Sequence, residues 1–347
     1  MKRLPVLFTL LLALSIAACG GKESATQPQA TQRPAAQVPA GRDRGLLLSR
    51  DQRLLLRDIG DGTEYQIARS PVADIYFTHP RWSPDGKQIA YVLNTLYTGA
   101  PNQDWGGEIA VSAADGSGQR VVYKRPQPGV TIEGLAWAAD GRALVAGFLE
   151  TTIKDGRFLG QTLTLDRLDL ASGTRTKLVA DAAQPTVAPD GSRIAYITYT
   201  LGDQPGGLWT AAADGSDRGL LVPLTGKFVA VLSPRFAPDG RSVAFSAATI
   251  ASGSDLPASP RQARRWPWET RAAAAHGLPM DIWLAALDGS DPRRLTNVLE
   301  DEPSVAWSPD GARLAMIATG GLYELALSGG DPKKVAPGAT QAQIDWR

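Results

Sequence analysis

Few side chains in this sequence could carry chemistry, and their types narrow what it could be. Imidazole is available only at His79 and His276, and the single thiol is Cys19. A zinc site takes about four nitrogen, sulfur or oxygen ligands at close spacing, and no stretch supplies them. Gly240-Arg241-Ser242-Val243-Ala244 approaches the Gly-x-Ser-x-Gly turn of a serine hydrolase but lacks its final glycine. No phosphate loop of the Gly-x-x-x-x-Gly-Lys type occurs. The Asp-Gly-Ser-Asp strings at 214–217 and 288–291 offer carboxylates, but calcium needs about six to eight oxygens, and the strings read first as turns. Binding therefore comes ahead of catalysis. The binding candidates are His79, Tyr97, Trp105, Phe158, Arg264, Arg265, Trp266, Trp268 and His276. No catalytic residue, metal ligand or cofactor is assigned.

Cys19 answers to a different chemistry, acylation at sulfur. Lys2 and Arg3 precede an apolar run over 4–18. That run falls short of the roughly 20 residues needed to span a bilayer, but it suits the apolar part of a secretory signal. Ile16-Ala17-Ala18-Cys19 resembles the bacterial lipobox. The resemblance implies cleavage before Cys19, palmitate-type acylation there and a mature protein tethered to an envelope membrane. Residues 20–44 have almost no large apolar side chain, so they cannot offset the entropy of ordering and read as a flexible stalk. The expected organisation is a signal peptide over 1–18, lipidated cysteine and stalk over 19–44, and a folded domain over 45–347. Without Lys2 and Arg3, 34 basic residues face 35 acidic ones. A nucleic-acid binder shows a basic excess or stripe, so the expected partners are the membrane and an extracytoplasmic ligand, met by a monomer.

What must position the candidates is a repeat. It reads Arg81-Trp82-Ser83-Pro84-Asp85-Gly86, Ala136-Trp137-Ala138-Ala139-Asp140-Gly141, Thr186-Val187-Ala188-Pro189-Asp190-Gly191, Arg235-Phe236-Ala237-Pro238-Asp239-Gly240 and Ala306-Trp307-Ser308-Pro309-Asp310-Gly311. The Asp-to-Asp intervals are 55, 50, 49 and 71 residues. In each unit a large apolar residue ends one strand, and the Asp and Gly make a tight turn. A second apolar strand follows, such as Ile89-Ala90-Tyr91-Val92, then a third ending in a turn such as Asp115-Gly116 or Asp288-Gly289, then an outer strand. Four antiparallel strands per unit of this length make a propeller blade. The ends of the domain complete one more: 46–66 holds the later strands of a blade, and Gln343-Ile344-Asp345-Trp346-Arg347 an inner strand without its turn. The prediction is an all-β, six-bladed β-propeller closed by pairing N-terminal strands with the C-terminal strand. A seventh blade would require the region 247–280 to hide one.

The motif, and especially Leu295-Thr296-Asn297 leading through Pro303 to Trp307-Ser308-Pro309-Asp310-Gly311, resembles the TolB-type, WD-like β-propeller repeat. The resemblance covers nearly all of 45–347 and implies the fold; a function does not follow from a fold alone.

Extra length falls between second and third strands, over 94–107, 149–160 and 247–280, on the face that also carries the connections between blades. Long loops on a compact fold are more often functional than filler. They bring Tyr97, Trp105, Phe158, Trp266 and Trp268 together with Arg264, Arg265 and Arg271. His79, His276 and the acidic run Glu300-Asp301-Glu302 map to the same face. The expectation is a non-catalytic binding or scaffolding module for a protein, peptide or envelope glycan. The alternative is an enzyme at the channel mouth, such as a glycan lyase or hydrolase.

Overall fold

A computed structural model of the chain describes residues 36–38, 44–50, 52–70, 72, 74–96, 103–154, 157–199, 206–249, 279–328, 331–338 and 342–347. Cys19, Tyr97, Arg264, Arg265, Trp266, Trp268 and His276 lie outside them. All regular structure among the described residues is β.

The repeated turn is what divides the chain into its groups of strands. At each of the five turns the Asp carboxylate accepts the amide two residues on. Lys87 lies 3.0 Å from Asp85, Arg142 2.9 Å from Asp140, Ser192 2.9 Å from Asp190, Arg241 2.9 Å from Asp239 and Ala312 3.0 Å from Asp310. The glycine that follows takes φ between 65° and 75°, a conformation that a Cβ disfavours.

After a two-residue segment, β1 (Ala36–Gln37), the chain runs through β2 (Leu46–Arg50), β3 (Arg53–Arg57) and β4 (Glu64–Arg69). Next come β5 (Ile75–Trp82), β6 (Gln88–Thr95), β7 (Gly106–Ala113) and β8 (Arg120–Tyr123), then β9 (Val130–Trp137), β10 (Ala143–Lys154), β11 (Arg157–Asp169) and β12 (Arg175–Ala180). They are followed by β13 (Ala182–Val187), β14 (Arg193–Thr198), β15 (Gly207–Ala212) and β16 (Gly219–Pro223), and by β17 (Phe228–Phe236), β18 (Ser242–Thr249), β19 (Pro279–Ala286) and β20 (Arg293–Arg294). The chain closes with β21 (Glu300–Asp301), β22 (Ser304–Trp307), β23 (Arg313–Ala318), β24 (Gly321–Ala326), β25 (Lys333–Ala336) and β26 (Gln343–Trp346). Consecutive strands of each group of four pair antiparallel. β26 pairs antiparallel with β2, Leu46 opposite Trp346 and Leu48 opposite Ile344. The result is a β-propeller of mainly antiparallel, four-stranded sheets.

Two expectations change. The strands form five hydrogen-bonded sheets, where the repeat count predicts six separate ones. β5–β12 make a single eight-stranded sheet because one parallel pair, Gly106 opposite Val130, joins two groups of four. Gly106 permits the approach: at φ 132° a Cβ there would stand 2.3 Å from the Val130 carbonyl oxygen. Nor is the assigned stalk wholly free. Ala36 and Gln37 pair parallel with Tyr65 and Gln66 on β4, occupying part of an otherwise open sheet edge, and Val38 packs on the core beside them.

Apolar residues fill the spaces between successive groups. Leu47, Leu54 and Leu56 meet Phe77, Trp82 and Tyr91 in one such layer. In another, Leu46, Leu48 and Leu55 from the first strands meet Ala306, Ala315, Ile317 and Leu322 from β22–β24. The tryptophan that ends an inner strand adds a polar tie. Trp82 Nε1 donates to Gly45 O, Trp137 Nε1 to Arg81 O and Trp307 Nε1 to Arg235 O, each at 3.1 Å. A buried indole thus keeps its hydrogen bond, Trp137 and Trp307 joining one inner strand to the one before and Trp82 joining β5 to the start of β2.

Candidate functional site

Inner strands β5, β9, β13 and β17 each carry a register break three residues before the terminal apolar residue. His79, Gln184 and Ser233 there take φ of 53°, 51° and 53°, and Gly134 takes 111°. The break frees a main-chain N–H and swings polar side chains inward. Two of the freed groups are claimed by glutamines of the preceding inner strand. Ser233 N donates to Gln184 Oε1 at 2.6 Å, and His79 N donates to Gln343 Oε1.

This fixes the state of His79. With Oε1 of Gln343 accepting the main-chain N–H, its Nε2 must donate, and it does so to His79 Nε2 at 3.2 Å. That imidazole nitrogen is therefore unprotonated, and Nδ1 donates to Thr78 Oγ1 at 3.2 Å. Burial holds the imidazole down from its ordinary 6.5 to about 3, and the charges of Arg81 and Arg235 push the same way. His79 is a neutral hydrogen-bonding group at any physiological pH.

Two residues beyond each break on β5 and β17 stand the guanidinium groups of Arg81 and Arg235, 7% and 9% exposed. Arg81 ties β5 to the inner strands on either side: Nε donates to Leu135 O on β9 at 2.8 Å, and Nη1 to Pro80 O at 2.6 Å and Ile344 O on β26 at 3.3 Å. Arg235 makes one hydrogen bond, Nη1 to Pro234 O at 2.8 Å, and its buried Nε has no acceptor. Asp345 on β26 accepts Trp82 N at 2.8 Å through Oδ2, and its charge acts on both guanidinium groups. Burial pushes the Asp345 carboxyl up, and Arg81 and Arg235 pull against it. Burial also works against the Arg235 charge, Arg81 adds repulsion and Asp345 opposes both. His79 and Asp345 keep part of their surface accessible.

Toward the end where the inner strands begin, a second set converges. Glu133 accepts Thr131 Oγ1 at 2.8 Å, and burial raises its carboxyl. Burial likewise raises the Tyr199 phenol, and the charges of Glu133 and Glu302 push the same way. Asp301 adds to burial in raising Glu302. Glu300, of the same acidic run, turns away into the fold: it is buried and accepts Tyr323 Oη at 2.8 Å and Gly320 N at 3.1 Å.

The predicted residues that are described do not form one cluster. His79 belongs to the axis. Trp105 packs at the junction of β7 and β9, where its carbonyl accepts Gly129 N at 3.0 Å. Phe158 stands on the β10–β11 hairpin, 62% exposed, with Leu159 60% and Ile153 53% exposed beside it. Sequence reasoning missed Arg81, Arg235 and Asp345. The signal was present: each directly precedes the strand-ending aromatic residue, and His79-Pro80-Arg81-Trp82 repeats as Ser233-Pro234-Arg235-Phe236.

No family model matches this sequence, and no characterised protein matches it by sequence. Solved structures are similar to it in fold. TolB from Acinetobacter baumannii superposes with a TM-score of 0.53 at 15% identity, over 86% of this chain and 66% of that one. A chain of a nidogen/laminin complex gives 0.58 at 10% identity, over 86% and 97%. Oligogalacturonate lyase in complex with manganese gives 0.52 at 16% identity, over 82% and 70%. The chain thus spans about two thirds of the TolB structure, 66%. At these identities the likeness establishes the β-propeller fold and nothing finer.

Proposed function

We propose that this chain is an exported, lipid-anchored protein whose propeller closes into a ring of six blades and acts as a non-catalytic binding or scaffolding module. The groups of four strands support the count, and the β2–β26 pairing supports the closure. Cys19 carries the anchor, which places the domain outside the cytoplasm on the envelope membrane. The partner is a protein, peptide or envelope glycan, met at the end where the inner strands begin.

One observation carries this reading. Of the exposed large apolar side chains, Val72, Ile153, Phe158, Leu159, Val229 and Leu299 lie at that end, whereas Val121 and Leu220 lie on outer strands. The opposite end presents the Asp-capped turns. Exposed apolar surface gathered at one end of a folded domain marks an association site, and aromatic and arginine side chains make its strongest anchors. The long insert opens at the same end, since Ala247 pairs with Asp281 and the chain leaves β18 and re-enters β19 there. That register allows 250–278 to be replaced by Asn-Gly, a two-residue hairpin turn. The shortened protein keeps its unfolding midpoint and loses capture of its envelope partner in pull-downs. Undiminished capture would count against the proposed face.

A second reading, a lyase or hydrolase at the channel mouth, is favoured only by the charges of Glu133 and Glu302 both acting on Tyr199. Turnover of an acidic glycan that Tyr199→Phe abolishes would establish it.

A further inference from the structure

The axis has an approximate two-fold repeat of its own, and one charge is missing from it. On one side Gln343 holds the His79 amide, Asp345 holds the Trp82 amide, and Arg81 lies between. On the other, Gln184 holds the Ser233 amide at 2.6 Å, Thr186 Oγ1 accepts the Phe236 amide at 3.2 Å, and Arg235 lies between. Thr186 thus stands where the first half has Asp345. Arg81 also spends its guanidinium on the carbonyls of Leu135 and Ile344, while Arg235 has only the Pro234 carbonyl. Among the described residues the edge of Arg235 formed by Nε and Nη2 meets no acceptor, although the residue is 9% exposed and Nε is fully buried. The charge of Asp345 acts on both guanidinium groups, and a buried donor of Arg235, Nε, stands open.

A buried charge without a partner is costly, and an unclaimed Nε–Nη2 edge is the geometry that a carboxylate fills with two parallel hydrogen bonds. We infer that Arg235 is an anion-binding site that takes a carboxylate from a ligand entering the axis. The inference deepens the binding role proposed above by naming the group its ligand presents, and it rests on that reading only for the ligand's origin. His79, neutral and tied to Gln343, adds no competing charge.

The test uses the full chain titrated with sodium acetate against sodium chloride at matched ionic strength, followed by the Arg235 Nε–H resonance and the unfolding midpoint. Acetate should bind saturably and more tightly than chloride. Arg235→Met removes the donor, and Thr186→Asp supplies an internal carboxylate. A charge-assisted hydrogen bond is worth enough that either change should weaken acetate binding about tenfold or more. Thr186→Asp should also raise the unfolding midpoint in anion-poor buffer, so the inference stays testable if Arg235→Met folds poorly. No saturation in the parent protein, or equal affinity in both variants, would overturn the site. Chloride binding as tightly as acetate would overturn the carboxylate assignment. Acetate binding that survives while partner capture fails on insert replacement would leave this site standing and remove only the proposed face. Capture without acetate binding would do the reverse.

Discussion

Replacing Asp345 by Asn perturbs the axis with the least change in shape. The amide oxygen can still accept Trp82 N, now 2.8 Å from Oδ2, so the roughly 1 kcal/mol of a net hydrogen bond is retained. What disappears is the one negative charge acting on both Arg81 and Arg235, which are 7% and 9% exposed. Breaking a directly bonded buried ion pair from one side costs about 3–5 kcal/mol, and Asp345, which acts on both guanidinium groups by charge without a direct hydrogen bond among the described residues, does not exceed that. Arg81 keeps three carbonyl acceptors, which places the expected loss near the lower end, about 3 kcal/mol. By the usual size scaling that lowers the thermal midpoint by roughly 6 °C or more. The assay is thermal unfolding in low-salt, carboxylate-free buffer, for Asp345→Asn alone and in an Arg235→Met background. With one cation gone the second measurement should show a loss smaller by at least about 1 kcal/mol, the coupling expected of neighbouring charges. A loss below about 1 kcal/mol in the parent background, or identical losses in both, would refute the shared-charge argument.

Acid should expose His79. Its folded-state value lies near 3 against 6.5, so between those limits the unfolded chain binds a proton that the folded one refuses. Stability from this group is complete above pH 6.5 and falls as pH drops toward 3, by at most about 1.4 kcal/mol per pH unit. His79→Asn, which tolerates the φ of 53°, should flatten that slope in denaturation curves at stepped pH; parallel slopes would contradict it. Gly134→Ala should be severe, since a Cβ there would stand 2.5 Å from the Gln184 Cα. The expected cost is about 3 kcal/mol or more from backbone strain and overpacking. Gly219→Ala, whose Cβ would meet only Thr210 Oγ1 at 3.7 Å, should be nearly silent in the same unfolding assay. Phe158→Ser with Leu159→Ser should leave stability within about 0.5 kcal/mol, as for other exposed positions, yet weaken partner capture; capture at parental strength would remove the hairpin from the binding face.

What the sequence reveals of this fold is its local chemistry. Each Asp-Gly turn announces itself because the carboxylate caps its own turn and the glycine supplies positive φ, so strands such as Ile89–Val92 follow at fixed distance. The role of Gln343–Trp346 is legible for the same reason: an inner strand without a turn must pair elsewhere. Arg81, Arg235 and Asp345 were passed over because they sit at variable positions of the repeat, separated by 154 and 110 residues. Only the convergence of inner strands on one axis brings them within electrostatic reach. Glu133, Tyr199 and Glu302 are hidden likewise, in three different groups of strands. The joining of β7 to β9 through Gly106 depends on a single close approach that no repeat pattern encodes.

The account depends most on first and last strands sharing one sheet, and native-state amide hydrogen exchange tests this most directly. Gly45 and Arg347 exchange main-chain hydrogen bonds at 2.7 and 3.1 Å, so by antiparallel alternation the next bonded pair is Leu47 with Asp345. The Asp345 amide should exchange only through global unfolding, in step with Leu55 of β3. Fast exchange at Asp345 with β3 still protected would contradict the account.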